Sequence, residues 1–208
     1  MKNIILSIYL LIISFVSFSQ NEDYQSIQKQ FINSYCECLT SFKNENPQVV
    51  LYDKTENCIN QFIAQLDATK TQNLINNDKS ISDTLSQFDR NKQWGKNLIF
   101  SIIEDLVSES ESYRQTILEY KQNVGQQFNI EKQDLNALIT EFNSKIPSIT
   151  IEKNKAYVYT LLGVIYEYNK QPLEALKYYE SALSIYPTTS AKGLKKLIEI
   201  NLSQKKVK

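Results

Sequence analysis

The sequence contains no histidine among its 208 residues, and this absence removes a large class of enzymes. Histidine is the side chain that most often acts as a general base, and it partners the nucleophile in serine and cysteine hydrolases. It is also the commonest metal ligand. Since no glycine-rich phosphate loop occurs either, the sequence indicates a non-catalytic protein, and we expect no cofactor.

Glycine and proline are scarce, with only 4 of each. A chain made of many short strands needs frequent turns, and these two residues are the usual ones in turns. The composition therefore predicts an all-α fold built from long helices.

The chain also lacks an excess of charge of either sign, because 23 basic residues balance 23 acidic ones. A protein that binds nucleic acid electrostatically needs a surplus of lysine and arginine. We therefore expect no nucleic-acid partner.

The first 19 residues have the pattern of a secretory signal peptide. Lys2 precedes an apolar run from Ile4 to Phe18, and small residues surround its end in Ser17-Phe18-Ser19. This pattern predicts cleavage before Gln20 and export to the periplasm or the medium. The run is shorter than the ~20 apolar residues that cross a bilayer, so we favour a cleaved signal over a membrane anchor. No stable membrane span is expected after cleavage.

Apolar residues recur every three or four positions along most of the remaining chain, which predicts amphipathic helices. The pattern predicts a first helix over Glu22–Phe42 and a second from Asp53, where Glu56 completes a capping box, into the low seventies. Residues 73 to 80 are expected to form a loop, with the alternative that Leu74 and Ile75 continue the helix for a further turn. The two helices should form an antiparallel hairpin.

A long middle helix is predicted from Ser80 to Val124, and Gly125 is its expected left-handed C-cap. The apolar stripe is weakest at Asp89–Lys92 and at Ser108–Ser112, where a kink or an interruption is expected. A shorter helix should follow over Glu131–Lys145.

Three cysteines remain after the signal, and an exported chain meets an oxidising compartment, so a disulfide is expected. Cys36 and Cys38 point away from each other on one helix and cannot pair. Either could meet Cys58 across the hairpin. The apolar stripes favour Cys38–Cys58, with Cys36 free or in an intermolecular bond, but Cys36–Cys58 stays open. Three thiols without histidine lack the fourth ligand of a structural zinc site, so no metal is expected.

The segment from Ala156 to Pro187 has large and small residues at fixed spacings. These residues are Tyr159, Leu162, Gly163, Tyr166, Ala175, Tyr179, Ala182 and Pro187. The pattern resembles one tetratricopeptide repeat, a helix-turn-helix unit defined by such markers. Gly163 and Ala175 would let two antiparallel helices approach closely, and Pro187 would end the second helix. A shift of 34 residues toward the amino terminus finds no second repeat.

The resemblance implies a protein-binding face on the first helix of the repeat. In this sequence the residues of that face are Tyr157, Thr160, Val164, Glu167 and Tyr168. Thr160 and Val164 cannot supply the lysine and asparagine clamp that grips a C-terminal carboxylate in some relatives of the family. The alternative is that the face packs on the helix over Glu131–Lys145, because one repeat needs neighbours.

A last helix after Pro187 should cover the repeat, with Lys192, Lys195 and Lys196 facing water. The predicted organisation is thus a signal peptide over 1–19, a helical region over 20–125 with the disulfide-tied hairpin, and a repeat-like region over 126–208. The resemblance implies a non-catalytic adaptor or scaffold that binds a protein or peptide. The alternative is a carrier of a small molecule or lipid, held between the middle helix and the hairpin.

The signal-peptide assignment predicts the mature amino terminus. N-terminal sequencing of the exported protein should find Gln20, or a residue within a few positions of it, as the first residue. An exported protein that still begins with Met1 would contradict the assignment.

Overall fold

The computed structural model describes residues 2–46, 51–65, 68–78 and 80–206. Within these residues the chain forms α-helices and short 3₁₀ segments and no strand, which confirms the all-α fold class. The 3₁₀ segments are Leu51–Lys54, Ile130–Lys132 and Ile146–Ser148. The helices are α1 (Lys2–Glu45), α2 (Thr55–Gln65), α3 (Ala68–Asn77), α4 (Gln87–Glu109), α5 (Glu111–Gln127), α6 (Leu135–Lys145), α7 (Glu152–Tyr168), α8 (Pro172–Ile185) and α9 (Thr189–Lys206).

Helix α1 is longer than predicted, since it begins at Lys2 rather than at Glu22. The reason lies in the sequence, which contains no proline or glycine before Pro47 and so nothing that would end a helix. Ile27, Phe31, Tyr35 and Leu39 recur every four residues along α1, and all four are buried. This stripe anchors the helix to the core.

A disulfide joins α1 to α2 between Cys38 and Cys58, whose Cα atoms are 5.7 Å apart. This is the pairing that the apolar stripes favour, and Cys36 is free. The ring of Phe31 packs edge-on against Phe62, with 4.7 Å between the centroids, so the hairpin has an aromatic contact beside its covalent bond.

The second predicted helix is divided. It begins with the 3₁₀ segment, continues as α2, and is followed by α3, which runs to Asn77 through part of the expected loop. Residues 66 and 67, between α2 and α3, lie outside the described part of the chain, as do the side chains of the predicted capping box at Asp53 and Glu56.

The long middle helix is interrupted at Ser110, within the weaker stretch Ser108–Ser112, whereas Asp89–Lys92 is helical. Ser110 has an extended backbone, with φ −109° and ψ 115°, and its hydroxyl accepts a hydrogen bond from the backbone N–H of Tyr113. The guanidinium of Arg114 donates to the carbonyls of Val107 and Ser108 at 3.0 Å each. Serine and arginine thus satisfy the backbone groups that the break exposes.

The prediction that Gly125 is a left-handed helix cap was wrong. Gly125 lies inside α5, and the left-handed residue is Asn129, with φ 49°. The absence of a side chain at Gly125 instead makes room for Tyr168 of α7, because an added Cβ would lie 2.4 Å from the tyrosine hydroxyl oxygen. Gly125 permits a close contact between two helices.

Helix α9 packs against α8 on one side and α4 on the other. Lys192 does not face water as predicted, since its side chain is 16 % exposed. Its ammonium donates to the carbonyl of Phe100 at 2.8 Å, and it lies 4.4 Å from the centre of the Phe100 ring. The last helix therefore covers the repeat and also attaches it to α4.

Most buried apolar side chains of the described residues form one connected cluster, from Ile27 to Ile198, and Ala156, Ala182 and Ala191 form a small second cluster. The domain boundary predicted at residue 125 stays a prediction. Along the described residues, we find no helix whose length and apolarity would allow it to cross a membrane.

The disulfide predicts different effects of two cysteine substitutions on the same helix. Cys36 and Cys38 are both partly buried on α1, and only Cys38 closes a loop of 20 residues. Cys38→Ala should lower the free energy of unfolding by about 3 kcal/mol through the entropy of the unfolded chain. Cys36→Ala should change it by less than about 1 kcal/mol.

Urea denaturation with and without dithiothreitol checks this prediction. The reductant should destabilise the wild type and Cys36→Ala and leave Cys38→Ala unchanged. Equal losses for the two variants under oxidising conditions would contradict a stabilising Cys38–Cys58 bond.

Candidate functional site

The repeat is a pair of helices, α7 and α8, that pack in close contact. The turn between them places Lys170 in the left-handed region with φ 58°, and the N–H of Gln171 bonds to the carbonyl of Tyr166 at 2.9 Å. This pattern is a Schellman ending of α7. Pro172 is the first residue of α8, where its missing N–H costs nothing.

The contact between the two helices centres on Gly163 and Tyr179. An added Cβ at Gly163 would lie 2.4 Å from a carbon of the Tyr179 ring, and the ring is fully buried. The Tyr179 hydroxyl donates to a carboxylate oxygen of Glu167 at 2.7 Å. Burial, and after it the neighbouring carboxylate, raises the pKa of Tyr179 well above its ordinary value, so the hydroxyl keeps its proton.

A second group of tyrosines joins the repeat to α6. The rings of Tyr166 and Tyr178 stack with 4.9 Å between centroids, and the hydroxyl of Tyr178 donates to Asn143 of α6 at 3.1 Å. Partial burial, followed by the hydrogen bond with Tyr178, raises the pKa of Tyr166 to about 12. This side of the repeat serves packing within the chain.

Two of the predicted binding residues, Thr160 and Val164, are buried in the described structure, with 2 % and 0 % of their surface exposed. The Thr160 hydroxyl donates to the carbonyl of Ala156 in its own helix. Helices α5 and α6 both pack against α7, so the middle of the predicted face contacts other parts of the same chain.

Glu167, which also belongs to the predicted face, forms an ion pair with Lys121 of α5 at 2.7 Å. The glutamate side chain is 11 % exposed and the lysine side chain 23 % exposed. Removing one partner from such a pair leaves an uncompensated charge in a poorly solvated place. The pair therefore fixes α5 on the repeat.

Tyr168, the fourth residue, lies where the predicted face opens to solvent. Its ring rests over Gly125, and the ammonium of Lys121 lies 5.7 Å from its centre, within the range of a cation–π contact. The ring lines a cleft of about 550 Å³ between α7, the end of α5 and the following 3₁₀ segment. The other lining residues are Gln122, Gly125, Gln126, Asn129, Glu131 and Lys132.

Tyr157, the remaining residue of the predicted face, is 42 % exposed. It precedes Tyr168 by three helical turns on the same face of α7, roughly 16 Å away. The structure therefore leaves the two ends of the predicted face accessible and covers the part between them.

The sequence analysis did not predict the cleft residues that α5 and the segment following it contribute. Gly125 was a signal in the sequence for their location, because a glycine inside a helical pattern often marks a close approach of another element. The identity of that element depends on the packing of α5 on α7, which no periodicity reveals.

These features define an all-α protein with one helix-turn-helix repeat embedded among other helices. A family model described as tetratricopeptide repeat matches residues 156–189, which confirms the resemblance over that segment. No curated protein and no solved structure matches the chain significantly. The match to this repeat indicates a module for protein–protein interaction.

The contact between Gly163 and Tyr179 predicts opposite effects of one substitution at two helical glycines. Gly163→Ala places a methyl group against a buried ring that has no room to move, and should lower the free energy of unfolding by about 2 kcal/mol. The methyl group of Gly95→Ala in α4 would have no atom within 4 Å. This variant should raise the free energy of unfolding by up to about 1 kcal/mol, because alanine has the higher helix propensity.

Thermal and urea unfolding of the two variants test the prediction. A stabilised Gly163→Ala variant would contradict the close packing of the repeat helices.

Proposed function

We propose that this protein is an exported, non-catalytic adaptor that binds an extended peptide segment of another protein in the cleft beside Tyr168. The observation that carries the proposal is the cleft itself, which lies where the α7 face of the repeat opens to solvent. The family match to a protein-interaction repeat supports the class of partner.

The side chains of the cleft suit the backbone of a peptide. Gln122, Gln126 and Asn129 are exposed and carry amides, each with a donor and an acceptor. A peptide bond has the same pair of groups, so an extended chain can form hydrogen bonds with all three. The Tyr168 ring offers a flat surface for a side chain of the peptide.

The charges of the cleft argue against a strongly charged ligand. Glu131 and Lys132 line it with one charge of each sign. Thr160 and Val164, the positions at which the carboxylate clamp of the repeat family would lie, are buried. A polar internal segment of a partner fits better than a free C-terminus or a nucleic acid.

The disulfide supports the proposed location. Cysteine pairs persist in oxidising compartments and are rare in the cytosol. The Cys38–Cys58 bond and the signal-like first 19 residues both favour export.

Two adjacent glutamines allow a matched test. Gln126 lines the cleft, whereas its neighbour Gln127 is also exposed and does not. A photo-crosslinking amino acid in place of Gln126 should label one protein reproducibly in the native host, and the same group in place of Gln127 should not. The labelled segment, made as a peptide, provides the ligand for calorimetry.

Binding of that peptide should weaken at least tenfold in a Gln122→Arg, Gln126→Arg double variant, because two long charged side chains would occupy the cleft. The control is Asn123→Arg, Gln127→Arg, which adds the same charge at exposed positions of the same helix. Equal affinities in the two double variants, or equal labelling from both crosslinker positions, would refute the proposal.

A further inference from the structure

A separate cavity of about 270 Å³ lies where the hairpin meets the middle helices and the start of α9. Its apolar walls include Phe31 of α1, Ile59 of α2 and Leu106 of α4. Among the residues that the structure describes, no acidic or basic side chain lines it. In the described part of the chain, it shares no lining residue with the cleft at Tyr168.

Hydroxyl groups complete the cavity. The residues that carry them are Tyr35, Tyr113, Thr116, Tyr120, Thr189 and Ser190. Burial raises the pKa of Tyr35 and of Tyr113, so both phenols stay protonated and can donate. The Thr116 hydroxyl already donates to the carbonyl of Ser112, which leaves its oxygen as an acceptor.

The walls define the chemical class of a ligand. A charged molecule would lose its hydration without meeting an opposite charge on the described walls, which is costly in such surroundings. A neutral molecule would bury its apolar part against the aromatic and aliphatic walls and could form one or two hydrogen bonds with the hydroxyls.

The volume sets the size of the ligand. An apolar cavity of about 150 Å³ holds one benzene ring. A cavity of about 270 Å³ therefore accommodates a molecule of roughly ten to fifteen non-hydrogen atoms. Thr189 is exposed and Ser190 is half-buried at the first turn of α9, so this turn forms the mouth.

We propose that the cavity binds a small, neutral, mostly apolar molecule with one hydrogen-bonding group, such as a single-ring or fused-ring compound or a short-chain alcohol. The site lies between the hairpin and the middle helices, and it is independent of the peptide cleft. Occupation would fix α1, α2, α4, α5 and α9 against one another.

Calorimetry and ligand-observed NMR with three neutral probes, indole, benzyl alcohol and 1-hexanol, test the proposal on the intact protein. At least one probe should bind with a dissociation constant between about 10 µM and 1 mM, typical of ligands with few atoms. Indole-3-acetate, which adds a carboxylate to the indole ring, should bind at least tenfold more weakly than indole.

Ser190→Phe should place a ring in the mouth and weaken binding of the best probe at least tenfold. The control is Ser203→Phe, the same change at an exposed position of α9, which should leave the affinity within twofold. If Ser190→Phe does not fold, Thr116→Val supplies the test. Loss of the acceptor oxygen should then weaken the probe severalfold.

The Gln122→Arg, Gln126→Arg variant should bind the probe like the wild type, which separates this site from the peptide cleft. The proposal fails if the folded wild type binds none of the three neutral probes, or if indole-3-acetate binds as well as indole. It also fails if the variant used to test the cavity, Ser190→Phe or Thr116→Val, keeps wild-type affinity.

Discussion

The Tyr179 ring lies against the backbone of Gly163, and its hydroxyl connects this contact to the rest of the molecule. The hydroxyl donates to Glu167, and Glu167 forms an ion pair with Lys121 of α5. Every member of this chain of contacts is poorly exposed, so each polar group depends on its neighbour for the partner that water would otherwise provide. Moving α5 away would leave the Glu167 carboxylate without its lysine. Glu167 also holds the buried Tyr179 hydroxyl, so the interior of the repeat is coupled to a helix outside it.

A single repeat needs such contacts with other helices to bury its second apolar face. A helix-turn-helix unit has two apolar faces and buries only one of them internally, and in arrays the next unit covers the other. Here α5 and α6 pack on α7, while α9 packs on α8 and reaches α4. The helices before and after the repeat therefore take the places that neighbouring repeats occupy in an array. Lys192 shows the consequence, because a side chain suited to a solvated terminal helix binds the carbonyl of Phe100 inside the structure.

Local signals in the sequence predicted the features that depend on neighbours along the chain, including the helical content, the weak point near Ser110 and the small and large markers of the repeat. They failed where a distant element decides the outcome. Gly125 looks like a helix cap when only its own helix is considered, and its true neighbour is Tyr168, far along the chain. Thr160 likewise lies on the open face of an isolated repeat and becomes buried when the other helices pack around α7. Periodicity identifies which face is apolar, but it does not identify the element that covers it.

Helix α5 contributes to both proposed sites, and its two ends face different partners. Tyr113 and Thr116 near its start line the apolar cavity with the hairpin, whereas Gln122 and Gln126 near its end line the polar cleft with α7. The Lys121–Glu167 ion pair lies between these sets and holds the helix on the repeat. Because tertiary contacts fix α5 before any ligand arrives, both sites have walls that need little ordering on binding, and less of the interaction energy is lost to conformational entropy. The two sites use different residues of α5 on either side of this ion pair, so each can bind its own class of molecule.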